Sequence, residues 1–404
     1  MNIFKRFLIR LYQKFLYLFS LLLNFKEPLV ISGNDAFNKL VEEIKKHNFK
    51  HVFLVTGKRI HSLKLDELLT NLLDNENIKY TLYFEFTTDP TIKQINDGAN
   101  LYINNNCDCI VAIGGGSIMD GAKGIGIKVN NKKDLIKMKG LLKVKHRLPF
   151  NFLVPTTAGS GSEVSIAAVI VNEENKGKFP IEDLKLIPNV VVLNPNLLIN
   201  LPASITAYTG MDALTHAIEA YLGNSNTKES NKNALEAIKL IFNNLQTSYL
   251  NNNDLNAKNN MQIAAYKAGR AFSRAYVGYV HALSHAIGGY FNVPHGLANA
   301  ILLPYVLIEY DKYAYKKLAK IYDYLYGKNT LTNKEKANNI IDSIIKLNND
   351  LNIPKQFAIK LNEKDIDILI NRAIKESIPL YPVCKLFTYQ NFKNVLIKAF
   401  NLEC

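Results

Sequence analysis

Residues 276–300 read YVGYVHALSHAIGGYFNVPHGLANA and hold three of the eight histidines of a 404-residue chain. His281 and His285 are four apart among apolar residues that suit a helix, so their imidazoles share one face. His295 lies between Pro294 and Gly296, where a turn swings a third imidazole back toward that face. Upstream, GMDALTHAIEAYL at 210–222 repeats the spacing with Asp212 and His216 in an apolar helical pattern. A buried carboxylate without partners is expensive, so Asp212 requires a cation or a full set of donors. Taken singly, each histidine is accounted for as a hydrogen-bonded core residue. Two pairs at helical spacing and a histidine after a proline, all in one half of the chain, point instead to the shell of a divalent transition metal.

Around these motifs the second half, from LPASITAYTGMDAL onward, is almost free of strand patterns. NKNALEAIKLIFNNLQ, AAYKAGRAF and EKANNIIDSIIKLNNDL read as amphipathic helices, so residues 201–404 form a helical, metal-binding domain. The asparagine-rich LNNNDLNAKNN at 250–260 reads as an exposed loop. Residues 28–200 instead alternate strands with amphipathic helices. HVFLVTG at 51–57, YTLYFEF at 80–86, CIVAIGG at 109–115, NFLVPTT at 151–157 and NVVVLN at 189–194 are the strands. AFNKLVEEIKKH at 36–47 and IKQINDGANLYINN at 92–105 are helices between them. This alternation predicts an α/β domain with a mostly parallel sheet covered on both faces.

The third strand runs into GGGSIMDGAKGIGI. Gly114, Gly115 and Gly116 let backbone approach a phosphate, and the helix starting near Ser117 offers free amides at its positive end. A tight strand-to-helix turn also uses such glycines, and the run is not a GxGxxG fingerprint, so it implies a nucleotide without fixing the fold. PTTAGSGSEVS at 155–165 is a hydroxyl-rich loop at another strand's carboxyl end, where ligands of open sheets bind. A plain polar loop has the same composition.

GMDALTHAIEA together with GYVHALSHAIGGYFNVPHGLANAI resembles the paired signatures of the iron-containing, or group III, alcohol dehydrogenases. The likeness runs from about residue 28 to the end. It implies a Rossmann-like sheet domain followed by an all-α domain, a dehydroquinate synthase-like architecture. By the resemblance Asp212, His216, His281 and His295 are the metal ligands, with ferrous iron, or alternatively zinc, between them. His285 becomes a proton relay beside the nicotinamide. GGGSxxD becomes the pyrophosphate and ribose loop, implicating Gly114, Gly115, Gly116, Ser117 and Asp120. Thr156 and Thr157 belong to a second nucleotide loop, and Lys178 in GKFP matches a lysine near the cofactor. The resemblance also implies a homodimer.

Three positions depart from the family pattern. Many members carry Asp in the equivalent of VTGKR, where this chain has Gly57 followed by Lys58 and Arg59. An acid there would repel a 2′-phosphate. Its replacement by glycine and two cations predicts NADP(H) over NAD(H). Asp89 stands where relatives often have Asn, and Asn194 where the first signature usually has an acid. The activity expected is reversible, metal-dependent oxidation of a small primary alcohol to an aldehyde. Maleylacetate reductase, glycerol dehydrogenase or a dehydroquinate-synthase-like lyase are rivals within the same architecture, and a non-catalytic membrane-associated protein is a rival outside it. In the two-domain reading, catalysis falls in a cleft between the domains.

The chain carries a formal charge of +14. No zinc-finger, RRM, KH or basic-helix pattern accompanies it, and the lysines are scattered among asparagines. Solvated surface, not nucleic acid, is the meaning drawn. The four cysteines form no disulfide framework: Cys107 and Cys109 are two apart and in a strand point to opposite faces, and Cys384 and Cys404 lie far from them in the C-terminal half, which fits a reducing cytoplasm. Residues 1–27 form a basic apolar extension in which Lys5, Arg6, Arg10 and Lys14 interrupt large apolar residues. The uncharged run is too short to span a bilayer and lacks a small-residue cleavage site. Residues 1–25 are therefore either a helix packed on the folded body or a partner, or an amphipathic helix on a membrane surface.

Overall fold

The computed structural model describes residues 3–86, 89–174 and 177–402; Cys404, and Thr87 and Thr88 of the TTDPT stretch, lie outside them. The chain divides into two compact units. The first consists of residues 24–201 and 252–269. Among the described residues its strands are β1 (Leu29–Ser32), β2 (His51–Gly57), β3 (Lys79–Phe86), β4 (Cys109–Gly114), β5 (Gly140–Leu141), β6 (Phe150–Pro155), β7 (Ala167–Asn172), β8 (Gly177–Glu182) and β9 (Val190–Leu193).

Six of these make one sheet in the order β1-β9-β6-β4-β2-β3, every pair parallel. The five strands expected from the sequence all belong to it. Their continuous apolar runs fit burial on both faces: every residue of β4 and of β9 is buried. The small sheet β5-β8-β7 was not anticipated: β5 has two residues, and β7 and β8 mix exposed with buried positions. Register places Gly114 opposite Pro155 and Gly57 opposite Phe86. The carboxyl ends of β6, β4 and β2 therefore lie side by side, and the glycine run and the threonine loop leave from adjacent strands. Helices Ile92–Asn104 and Gly116–Asn130 cross closely because Gly98 and Gly124 lack side chains; a Cβ on Gly124 would stand 2.6 Å from Ile95.

The second unit gathers residues 1–23, 202–251 and 270–404 and is helical. Capping boxes at Thr227, Thr332, Asn362 and Thr388 start four of its helices. The unit boundaries depart from a simple 28–200 and 201–404 division, because residues 252–269 group with the sheet. The expectation of a loop at 250–260 is corrected as well: the helix Leu255–Ala275 begins inside it. Asp254 accepts from the Ala257 amide, capping that helix, and Ala257, Met261, Ala264 and Ala265 form a buried stripe disguised by surrounding asparagines. Among the described residues no helix is long and apolar enough to cross a membrane.

Candidate active site

Three helices of the second unit bring the sequence-predicted ligands together. Ala203–Leu222 carries Asp212 and His216 one turn apart, Tyr279–Phe291 carries His281 and His285, and His295 is the first residue of His295–Tyr310. Asn292, in the left-handed conformation, closes the middle helix, so the expected turn is Asn292–Pro294. Gly296 then meets the helix bearing Asp212 almost backbone to backbone, since a Cβ there would collide with the carbonyl of Tyr208. Without that approach His295 could not reach Asp212.

Asp212 Oδ1 lies 3.4 Å from His295 Nε2, 3.7 Å from His281 Nε2 and 3.8 Å from His216 Nδ1. Ligand atoms about 2.1 Å from a tetrahedral ion would be roughly 3.4 Å apart, so the spacing suits a common cation. Asp212, His216 and His281 are buried and offer ligand atoms within 4.8 Å of one another, a group able to hold a metal ion. His216 Nδ1 is buried with no hydrogen-bond partner in the protein, and its ring is sandwiched between those of Phe272 and His281. An orphaned imidazole nitrogen in such a place calls for an electrophile. The donor set therefore fits a divalent metal.

Sequence reasoning missed the residues that hold these ligands. Glu219 sits two turns from Asp212 on the same helix and is buried. Its carboxylate accepts from the amides of Gly278 (2.8 Å) and Val280 (2.7 Å), capping the next helix, and from His281 Nδ1 (2.6 Å). Gly278 has no Cβ because one would stand 2.6 Å from the Glu219 carboxylate. Asn299, one turn after His295, donates to Asp212 Oδ1 at 2.7 Å, and Ser284 lies 3.1 Å from His295 Nδ1. The signal was available as HAIE and HGLAN, where the acid and the amide share their histidine's helical face. His285 stands apart from the buried group. It is exposed, stacks on His295 with centroids 5.0 Å apart, and pairs through Nδ1 with Glu376 Oε1 at 2.7 Å. Tyr381 donates to the same oxygen.

In the sheet unit, Gly57, the Gly114–Ser117 turn, Thr156 and Thr157 all lie at neighbouring strand ends, where open sheets bind ligands. Gly115 caps Gly116–Asn130 without any side-chain hydrogen bond, leaving the first amides to an outside acceptor. A Cβ on Gly116 would press to 3.0 Å from Ser160 Oγ, so the two loops touch. Asp120 turns into that contact: its carboxylate accepts from the Ser162 hydroxyl and the Val169 amide. Beneath it the buried Lys123 donates to the carbonyls of Ser162, Ser165 and Ala167, staking the threonine loop from inside. Burial pulls the Lys123 pKa down to about 8, against the attraction of Asp120 and Glu163. Asp89 and Lys178 form an exposed ion pair at 2.6 Å. Gly57 has a packing reason, since a Cβ there would meet Ile118 at 2.8 Å. Lys58 pairs with Glu85 at 3.0 Å.

Two family models match: iron-containing alcohol dehydrogenase over residues 28–195 and the C-terminal domain of the Fe-containing alcohol dehydrogenase family over residues 206–400. The chain belongs to the iron-containing alcohol dehydrogenase family. Similar relatives include 1,3-propanediol dehydrogenase of Citrobacter freundii, 36% identical over 85% of this chain and 90% of the relative. Alcohol dehydrogenase 4 of Saccharomyces cerevisiae is 32% identical over 92% and 97%. A solved 1,3-propanediol oxidoreductase superposes with a TM-score of 0.89 at 32% identity, covering 93% of this chain and 99% of its own. Like its family, the chain is a nicotinamide-dependent, metal-containing alcohol and aldehyde oxidoreductase, built as a parallel-sheet α/β region and a helical region.

For an iron-containing alcohol dehydrogenase, Glu219 is a sensitive position because it fixes the ring and tautomer of His281. Glu219→Gln should keep the fold but weaken retention of added ferrous or zinc ion by about 10- to 100-fold. Competition with a chromogenic chelator measures it; unchanged affinity would mean that Glu219 only caps the helix.

Proposed function

We propose that the protein interconverts a small primary alcohol and its aldehyde, with Asp212, His216, His281 and His295 holding ferrous iron, or zinc as the alternative. The single observation carrying this reading is the gathering of three imidazoles around the Asp212 carboxylate, with one buried nitrogen left unpaired. A divalent cation so held polarises the substrate oxygen and favours loss or gain of the hydroxyl proton, while the nicotinamide carries the hydride. The chain supplies the arrangement. Glu219, Ser284 and Asn299 keep the ligands aimed inward, so little reorganisation accompanies the reaction. His285 handles the proton: with Nδ1 facing the Glu376 carboxylate, its Nε2 is the basic nitrogen, and its exposure allows exchange with water.

The cofactor is assigned to Gly57, Asp89, Gly114, Gly115, Gly116, Ser117, Asp120, Thr156, Thr157 and Lys178, with NADP(H) favoured over NAD(H). The absence of an acid at Gly57, followed by Lys58 and Arg59, supports the preference. Small polar alcohols are the substrate class suggested by relatives named 1,3-propanediol dehydrogenase, lactaldehyde reductase of Escherichia coli and NAD-dependent methanol dehydrogenase of Bacillus methanolicus. A homodimer and a cytoplasmic location complete the reading; the described cysteines Cys107, Cys109 and Cys384 are all free thiols.

One experiment tests both halves. Aldehyde reduction should vanish on chelation and return with ferrous or zinc ion. Restored enzyme should show the higher kcat/KM with NADPH. Activity indifferent to chelation would overturn the metal assignment, and a higher kcat/KM with NADH would overturn the cofactor preference alone.

A further inference from the structure

The helix Ile3–Leu21 precedes the region matched by the family models, which begins at residue 28. One narrow side of it is fastened to the helical unit. Ile9 and Gln13 are buried; Gln13 donates to the carbonyls of Pro379 and Tyr381, Arg10 to those of Val383 and Cys384, and Arg274 to that of Ser20. These bonds fix which way the opposite side faces. That side is not polar: Phe4, Leu8, Leu11, Phe15, Leu18 and Leu22 form a continuous stripe, with Phe4 66%, Phe15 64% and Leu22 83% exposed. An outward apolar band of this length is far beyond the scattered hydrophobes of an ordinary surface.

Charge decides what covers it. Residues 1–26 contain Lys5, Arg6, Arg10, Lys14 and Lys26 and no acidic residue. Helical spacing sets Lys5 and Lys14 along the two borders of the stripe, while Arg10 is turned onto the carbonyls of Val383 and Cys384. A second copy laid along the stripe would set the bordering cations against their counterparts, a repulsion that specific interfaces avoid. An anionic bilayer has the opposite sign and accepts the apolar side chains. At the root of the helix a cleft of 410 Å³ is lined by Ile3, Phe7 and Leu386 together with Arg6, Arg10 and Lys385. Two of these cations are engaged by the protein itself, Arg10 by the carbonyls of Val383 and Cys384 and Lys385 by that of Glu309, so the cleft adds apolar surface beside the stripe. We propose that Ile3–Leu21 is a rigidly mounted foot that seats the enzyme on an anionic phospholipid surface, its aromatic and leucine side chains entering the headgroup boundary.

Flotation of the full-length protein with vesicles of phosphatidylcholine, or of phosphatidylcholine enriched in phosphatidylglycerol, tests this. Binding is expected on the anionic vesicles only, weakening as salt rises. Lys5→Gln/Arg6→Gln/Lys14→Gln should lose about a hundredfold in vesicle affinity, at roughly fivefold per cation. Leu11→Ser/Phe15→Ser should abolish binding at any salt. Both variants should keep wild-type dehydrogenase activity, which certifies the fold. Failure to float with anionic vesicles, equal binding to both vesicle types, or self-association that Leu11→Ser/Phe15→Ser abolishes in a protein that ignores vesicles would each overturn the proposal.

Discussion

Purified His281→Ala should contain only traces of metal, and its aldehyde reduction should fall by at least about a thousandfold, the loss expected when several kcal/mol of charge stabilisation disappear. Two roles meet in this ring. Nε2 faces Asp212 at 3.7 Å and Nδ1 donates to Glu219 at 2.6 Å, so alanine removes a ligand and strips a buried carboxylate of one of its three donors. It also withdraws one of the two rings stacked on His216, leaving Phe272. His285→Ala is the control one turn along the same helix. That ring is exposed and paired with Glu376, outside the Asp212 cluster. Metal should stay near wild-type content while kcat falls by about 10²- to 10⁴-fold with an altered pH profile. Elemental analysis beside steady-state kinetics separates the two. Retained metal in His281→Ala would remove that residue from the ligand set.

The contrast shows what the sequence could carry. Helical spacing alone put His281 and His285 on one face, and both do lie there, but spacing is silent on depth. His281 is buried against Asp212 and Glu219, whereas His285, one turn on, lies at the surface beside Glu376, a residue distant in sequence. The five expected parallel strands were legible since burial on both faces writes an uninterrupted apolar run. In the second sheet β8 mixes Lys and Pro with apolar residues, and β7, though apolar in sequence, alternates buried with more exposed positions. Asparagine content misled at 250–260 because composition outweighed the buried alanine stripe. Glu219 and Asn299 went unread for a different reason. A carboxylate or amide on a helix is ordinary until the elements it caps or clamps are known to lie against it. Asp89 and Lys178, assigned separately, are joined by an ion pair that no spacing rule anticipates.

Metal uptake by the stripped protein should release one proton per ion, and apparent affinity should climb about tenfold per pH unit between roughly pH 7 and 9 before levelling. Burial alone would lower the pKa of His281, but hydrogen bonds and charge from Asp212 and Glu219 together outweigh it and lift the ring to about 9. The metal-free site thus holds a proton on His281, and a ligand nitrogen must be bare. The other members do not contribute in this window. Burial drives His216 down to about 3 despite Asp212, and His295 also lies below the ordinary histidine value. Asp212 is held far below the carboxylate range by the surrounding imidazoles, which overcome its burial. The sign for stability follows from the same group. A raised folded-state pKa stabilises the metal-free protein fully below the unfolded histidine value of about 6.5, and that contribution disappears as pH rises through about 9. The metal-free protein should therefore lose thermal stability across pH 7 to 9 while the loaded enzyme, with the proton already gone, should not. Calorimetric titration in buffers of different ionisation enthalpy counts the proton directly; a count of zero would mean that His281 is neutral before the metal arrives.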